Sequence, residues 1–192
     1  MVKTNYTFGS GDNATGIIGL FNILYKKRLY QYIEAFSTSY EWTCVPNNVI
    51  TNGASYFHSD RNNLNQQYLW IHFKRNRIIP HKYKIKSYYH GPGTANLKKW
   101  EMEGSNDGID YETIAKVDYD DTLNCGNCQN IFDFDETNKE FSFIRLKFIE
   151  NHCNDEVSNR ILAFSKIEIY GTVTNRLNIF SCKFKGGVSC LL

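Results

Sequence analysis

The chain has 192 residues, 42% of them hydrophobic and 22% charged, with a formal net charge of +2. That length suits one domain with extensions around a single core, and so balanced a charge excludes a claim on nucleic acid from bulk electrostatics. Thirteen Tyr and 13 Phe raise the aromatic fraction to 15%, which favours strands.

Met1 to Asn13 is polar, carries Gly9, Ser10 and Gly11, and reads as a flexible start. From Ala14 the pattern changes. Ile17, Ile18, Phe21, Leu24 and Tyr25 recur at helical spacing, Asp12 or Asn13 can cap the start, and Lys26, Lys27 and Arg28 complement a helix C-terminus. One short amphipathic helix is predicted. Tyr30 to Ser39 alternates with bulk on both faces, as in a strand covered on both sides. Pro46, Asn47 and Asn48 turn the chain, and Asn52 with Gly53 turns it again. Ser55 to Asn65, SYFHSDRNNLN, mixes aromatic, basic, acidic and amide groups without a period, as a surface recognition loop does.

Tyr68 to Phe73 is a strand, Arg75 to Arg77 a basic turn, and Ile78 and Ile79 precede Pro80, which points to a strand edge or end there. In His81 to Ser87 the residues Lys82, Lys84 and Lys86 alternate with Tyr83 and Ile85. Such a lysine row marks a solvated face or a guarded edge, with contact to phosphate or an acidic partner as the functional alternative. Tyr88 to Asn96, YYHGPGTAN, is a loop. Leu97, Trp100 and Met102 then stand at near period two, and Gly104 to Gly108 packs turn formers together. Tyr111 to Val117 returns, which makes a strand, turn and strand. Asn130 to Phe134 alternates as a strand. Phe141 to Ile149 points Ile144, Leu146 and Phe148 to the core, and Leu162 to Gly171 is the last strand before a tail that begins at Thr172. About eight strands, short turns and no βαβ alternation predict an all-β antiparallel jelly-roll β-sandwich with a short N-terminal helix and a C-terminal tail.

The polar opening residues lack a signal-peptide pattern, and no run approaches the roughly 20 apolar residues of a membrane span. A cytoplasmic protein with its six cysteines as free thiols is therefore expected. Cys125 and Cys128 form a CxxC that could join His152 and Cys153 around zinc. A lone CxxC is a weak signature, however, and adjacent His and Cys point apart on a strand, so no metal or other cofactor is expected. No GxSxG, HExxH, phosphate-binding loop or dinucleotide fingerprint occurs, and His58, His72, His81, His90 and His152 are scattered, which argues against an enzyme.

In succession, YLWIHF, HKYKIKSYY, LKKWEMEGSNDG, FSFIRLKFI and AFSKIEIYG resemble the discoidin, or coagulation factor five/eight type C, domain family. The resemblance divides the chain into an extension over 1–29, a discoidin-like domain over 30–173 and a tail over 174–192. It implies a jelly roll of the galactose-binding-like superfamily. Gly16 to Ile18, Asn47 to Ile50 and Ser55 to Asp60 are similar to the intracellular branch often found beside BTB domains. Family members bind through loops at one end of the barrel, which here are Tyr40 to Pro46, Asn52 to Asn65 and Tyr88 to Asn96. Their candidate contact residues are Trp42, Tyr56, His58, Asp60, Arg61, Asn62, Asn63 and His90. The polar loops speak against membrane insertion. The resulting expectation is a non-enzymatic binding or scaffold module that docks onto a protein assembly, cytoskeletal or ciliary. Its basic strand would suit an acidic surface such as that of tubulin. A carbohydrate-binding module is the alternative, with Trp42 or Tyr56 stacking on a sugar.

Overall fold

The computed structural model describes residues 16–62, 65–156 and 158–175, with the backbone of 182–183 and 189–190. The expected flexible start and the Asp12 or Asn13 cap lie outside the described residues, as does most of the tail. Among the described residues eight strands of four or more residues build two antiparallel sheets, as the alternating runs predict. The five-stranded sheet takes β1 (Glu34–Ser37), β3 (Tyr68–His72), β8 (Phe143–Asn151), β5 (Leu97–Ser105) and β6 (Glu112–Val117) in that spatial order. The three-stranded sheet is β10 (Lys166–Asn175), β4 (Asn76–Lys86) and β7 (Gln129–Asp133). Two-residue strands add the pairs β2 (Phe57–His58) with β9 (Ala163–Phe164), and β11 (Cys182–Lys183) with β12 (Ser189–Cys190).

The alternation that predicts each strand also fills the core. Leu69 and Ile71 of β3, Trp100 and Met102 of β5, and Ile144, Leu146 and Phe148 of β8 face Tyr83 and Ile85 of β4 and Ile167 and Ile169 of β10. Trp100 packs edge-on against Phe132 of β7, with ring centroids 5.1 Å apart. On the solvent side of the five-stranded sheet Phe36 stacks on Trp70, and the Arg145 guanidinium sits 3.6 Å from the Tyr111 ring centroid.

The helix α1 (Ile17–Tyr25) buries Ile17, Ile18 and Phe21 in the same core. Its first turn is held from another part of the chain: the amides of Ile18 and Gly19 each donate to the Glu168 carboxylate of β10 at 2.8 Å. Glu168 leaves no room for a side chain at Gly16, where an added Cβ would lie 2.4 Å from its Cγ. Burial pushes the Glu168 carboxyl up to about 6, against the pull of these amides and of Lys84. Among the described residues no helix is long and apolar enough to cross a membrane.

Five local expectations are corrected. The strand predicted over Tyr30 to Ser39 is confined to Glu34–Ser37, because Lys26–Gln31 continues beyond α1 as a 3-10 turn that buries Leu29. The cations Lys26 to Arg28 accordingly lie in that turn and not in the last turn of the α-helix. Pro80 does not end a strand: β4 runs through it, because pairing with β7 begins only at Lys82 and the β10 partner bulges between Tyr170 and Gly171. For the same reason the lysine row is no edge guard, since β4 is paired on both sides. Gly104 lies within β5 and not in the turn, where an added Cβ would meet the Phe141 ring at 2.6 Å.

Candidate functional site

Beyond Lys86 the chain leaves β4 and enters the loop 87–96, and its first residues are clamped from below. Ser87 N donates to Cys128 O at 2.7 Å, its hydroxyl donates to Cys125 O, and Asn127 N donates to Tyr88 O at 3.0 Å. Cys125 and Cys128 are joined by a disulfide, and Asn127 between them takes a left-handed φ of 62°. An added Cβ on Gly126 would lie 2.5 Å from Tyr89 O, so this tight turn lies directly under the loop.

On that support a cluster of rings assembles from two loops. Tyr88 is buried and lies 4.8 Å from Tyr56, 4.6 Å from Tyr89, 4.8 Å from His90 and 5.6 Å from His58, centroid to centroid. Tyr89, 46% exposed, stacks obliquely on His90 at 4.1 Å and on Tyr56 at 5.0 Å, so a face of aromatic rings meets solvent over a buried base. Burial, with help from the neighbouring phenols, pushes the Tyr88 hydroxyl up, and burial pushes up that of Tyr56. Both stay neutral hydroxyls that can donate and accept hydrogen bonds.

His58 comes from β2 and is 3% exposed. Its Nδ1 lies 2.7 Å from Ser59 O, an acceptor, so this nitrogen carries the proton. Burial lowers its pKa while Glu41, 3.7 Å away, opposes the shift. Glu41 also binds Arg61 Nε at 2.9 Å and accepts Cys44 N through its carbonyl, and its own amide donates to His58 O. Through Glu41 the loops 40–46 and 52–62 are one surface. Asp60 Oδ1 accepts Asn62 N at 2.9 Å and Asp60 N donates to Ser39 Oγ, so the Asp60 side chain shapes its own turn.

The sequence-predicted residues therefore divide. Tyr56, His58 and His90 come together around Tyr88. Arg61 is tied to His58 through Glu41, and Asp60 and Asn62 form the turn around it. Trp42 projects from the tight turn after Glu41 at 92% exposure and has no ring contact among the described residues. Asn63 lies outside the described residues. Sequence reasoning missed Tyr88, Tyr89 and Glu41; the readable signal was the Tyr-Tyr-His run placed immediately after an alternating strand.

The free-thiol expectation is corrected at Cys125 and Cys128, while Cys44 and Cys153 are free. The zinc alternative is corrected with it. A disulfide has no thiolates to offer, His152 Nε2 is bonded to Asp120 O at 2.8 Å, and Cys153 Sγ is turned to Asp155. Among the described residues no group of three or more His, Cys, Asp or Glu is placed to hold a metal.

Comparison with known proteins agrees with this architecture. The F5/8 type C domain family matches residues 32–162, and the chain belongs to that family. No curated protein gives a significant match. Among solved structures, CpGH89CBM32-5 from Clostridium perfringens in complex with GalNAc-beta-1,3-galactose has a TM-score of 0.57 at 15% identity, over 72% of this chain and 95% of that one. The family 32 CBM from C. perfringens NanJ, in complex with galactose, has a TM-score of 0.55 at 15% identity, over 72% of this chain and 93% of its own. A fucose binding module from Streptococcus pneumoniae has a TM-score of 0.52 at 15% identity, over 72% and 90%. At these identities the likeness is one of fold.

Proposed function

We infer that the chain is a non-enzymatic binding module that takes a carbohydrate at the loop end built from Tyr56, His58, Tyr88, Tyr89 and His90. The observation that carries this reading is the solvent-facing Tyr89–His90 pair stacked over buried Tyr88. A sugar ring offers an apolar C–H face to an aromatic surface and hydroxyls at its rim, and here ring faces stand beside the polar rim of Asp60, Arg61 and Asn62. The galactose and fucose modules of the same fold support the assignment. The expected protein-scaffold role has less to stand on, because α1, the extension offered as added contact surface, is committed to the domain's own core.

A glycan array probed with the 192-residue chain tests the reading, followed by calorimetry on the strongest hits. Saturable binding that weakens at least about tenfold, or 1.4 kcal/mol, in Tyr89→Ala supports it. An array blank at high protein concentration, or hits indifferent to Tyr89→Ala, overturns it.

A further inference from the structure

A second feature lies on the outer face of the three-stranded sheet. There α1, the 3-10 turn Pro46–Ile50 and the strands β4, β10 and β7 enclose a cleft into which Lys84, Lys86 and Lys166 converge with Gln129, Thr51 and Asn52. The register explains the convergence: Lys86 stands opposite Lys166 on one side and Gln129 on the other, and Lys84 opposite Glu168. Like charges directly opposite across a ladder are destabilising, so the Lys86 and Lys166 pair is a cost. Burial, with Lys86 adding to it, lowers the pKa of Lys166, whose ammonium reaches the carbonyl of Asn48. Among the described residues neither the Lys84 nor the Lys86 side chain has a hydrogen bond or an ion pair within 4.0 Å. The carboxylate in the cleft, Glu168, is turned to the amides of Ile18 and Gly19, which leaves the ammonium groups in excess.

We propose that this cleft is a binding site for a tetrahedral oxyanion, the phosphate or sulfate group of a ligand, held by Lys84, Lys86 and Lys166 with Gln129 and Thr51 as neutral donors. Three compact, hydrated point charges on flexible stems suit a group that accepts hydrogen bonds in several directions, and an anion between Lys86 and Lys166 would remove their mutual repulsion. Concavity and partial burial make such contacts less screened than those of a lysine on an open surface. The site is separate from the aromatic loop end and does not depend on what binds there.

The test is an amide NMR titration of the full chain with inorganic phosphate and with sodium sulfate, at ionic strength held constant with chloride. Saturable shifts at Thr51, Asn52, Gln129 and Lys166 are expected, with affinity lost at least tenfold in Lys86→Gln and in Lys166→Gln. Lys82→Gln, outside the cleft and paired with Asp133, should bind as the native chain does. Among the described residues the Lys86 side chain has no hydrogen bond or ion pair to lose, so Lys86→Gln keeps the test sound if Lys166→Gln folds poorly. A phosphorylated and a sulfated monosaccharide then separate the sources: tighter binding of one ester than of the free ions names it, and equal binding leaves the free ion as the ligand. Shifts spread evenly over exposed lysines such as Lys116 and Lys139, absence of saturation, or equal affinity in Lys86→Gln overturns the proposal. Because Tyr89→Ala should leave these shifts intact, failure here and failure of the carbohydrate reading are distinguishable.

Discussion

Trp100 Nε1 donates a 3.0 Å hydrogen bond to the Tyr83 hydroxyl, and the two residues come from opposite sheets. Both are 0% exposed, so the bond is the polar seam of an otherwise apolar core. Burial pushes the Tyr83 hydroxyl up, and it stays neutral and able to accept. Tyr83→Phe leaves the indole N–H with no acceptor in a dry site, which costs about 1–3 kcal/mol. Trp100→Ala, which adds a cavity to the lost bond, costs about 3–5 kcal/mol. Urea unfolding of the two variants should rank them in that order, and a Tyr83→Phe as stable as the native chain would refute the seam.

The acid side of the stability curve should carry two opposed slopes. The Glu168 pKa is raised from 4.5 to about 6 in the folded chain. Between those values the folded state holds a proton the unfolded state has released, so stability falls as the pH rises through the window, by about 2 kcal/mol in all. His58 runs the other way. Its pKa is lowered from 6.5 by burial, so the unfolded chain takes its proton first and stability falls as the pH drops below 6.5. Unfolding free energies from pH 4 to 8 should show that Glu168→Gln removes the first slope and that His58→Gln reduces the second, to which His72, its pKa also lowered by burial, contributes the rest; an unchanged slope in either variant refutes its assignment.

Gly126→Ala probes the loop clamp without touching the ring faces. Its Cβ would collide with the backbone at Tyr89, and backbone cannot swing aside as a side chain can. Glycan affinity should fall at least about tenfold, or 1.4 kcal/mol. Trp42→Ala, at a fully solvated position, should change stability by no more than about 0.5 kcal/mol. Calorimetry of Gly126→Ala against the array hits and urea unfolding of Trp42→Ala check the two expectations.

Alkylation should separate the cysteines by environment. Without reductant, iodoacetamide should label Cys153, which is partly exposed, far faster than buried Cys44, and should spare Cys125 and Cys128. Prior reduction should add label at Cys125 and Cys128, read by peptide mass spectrometry. Labelling of these two without reductant would show that the bond does not form.

Period two was enough to read the core from the sequence: Trp100, Met102, Ile144, Leu146 and Phe148 all face inward as their alternation predicts, because one face of each strand is buried. Pro80 misled because a missing amide matters only where a neighbouring strand requests it, and that is decided by pairing between residues far apart in the chain. The same holds for the site. The loops 40–46, 52–62 and 87–96 could be named from the resemblance, but the ring contacts of Tyr88 and Tyr89 depend on the tight turn at 125–128, some 37 residues downstream of them. His58 illustrates the limit most plainly, since a histidine among polar loop residues turns out to be buried against Tyr88 by a two-residue strand pairing with Ala163.

The strand β4 bears on both sites at once, for it carries Lys84 and Lys86 outward and delivers Tyr88 two residues past the second lysine. At roughly 3.3 Å per residue the path from Lys84 to Tyr88 is about 13 Å long. Because β4 is paired on both sides up to Lys86, and Ser87 and Tyr88 beyond it are hydrogen-bonded to Cys128 and Asn127, that spacing is stiff. It acts as a ruler: a single sugar can occupy only one end of it, whereas a short acidic oligosaccharide could bridge the two and gain from both at once.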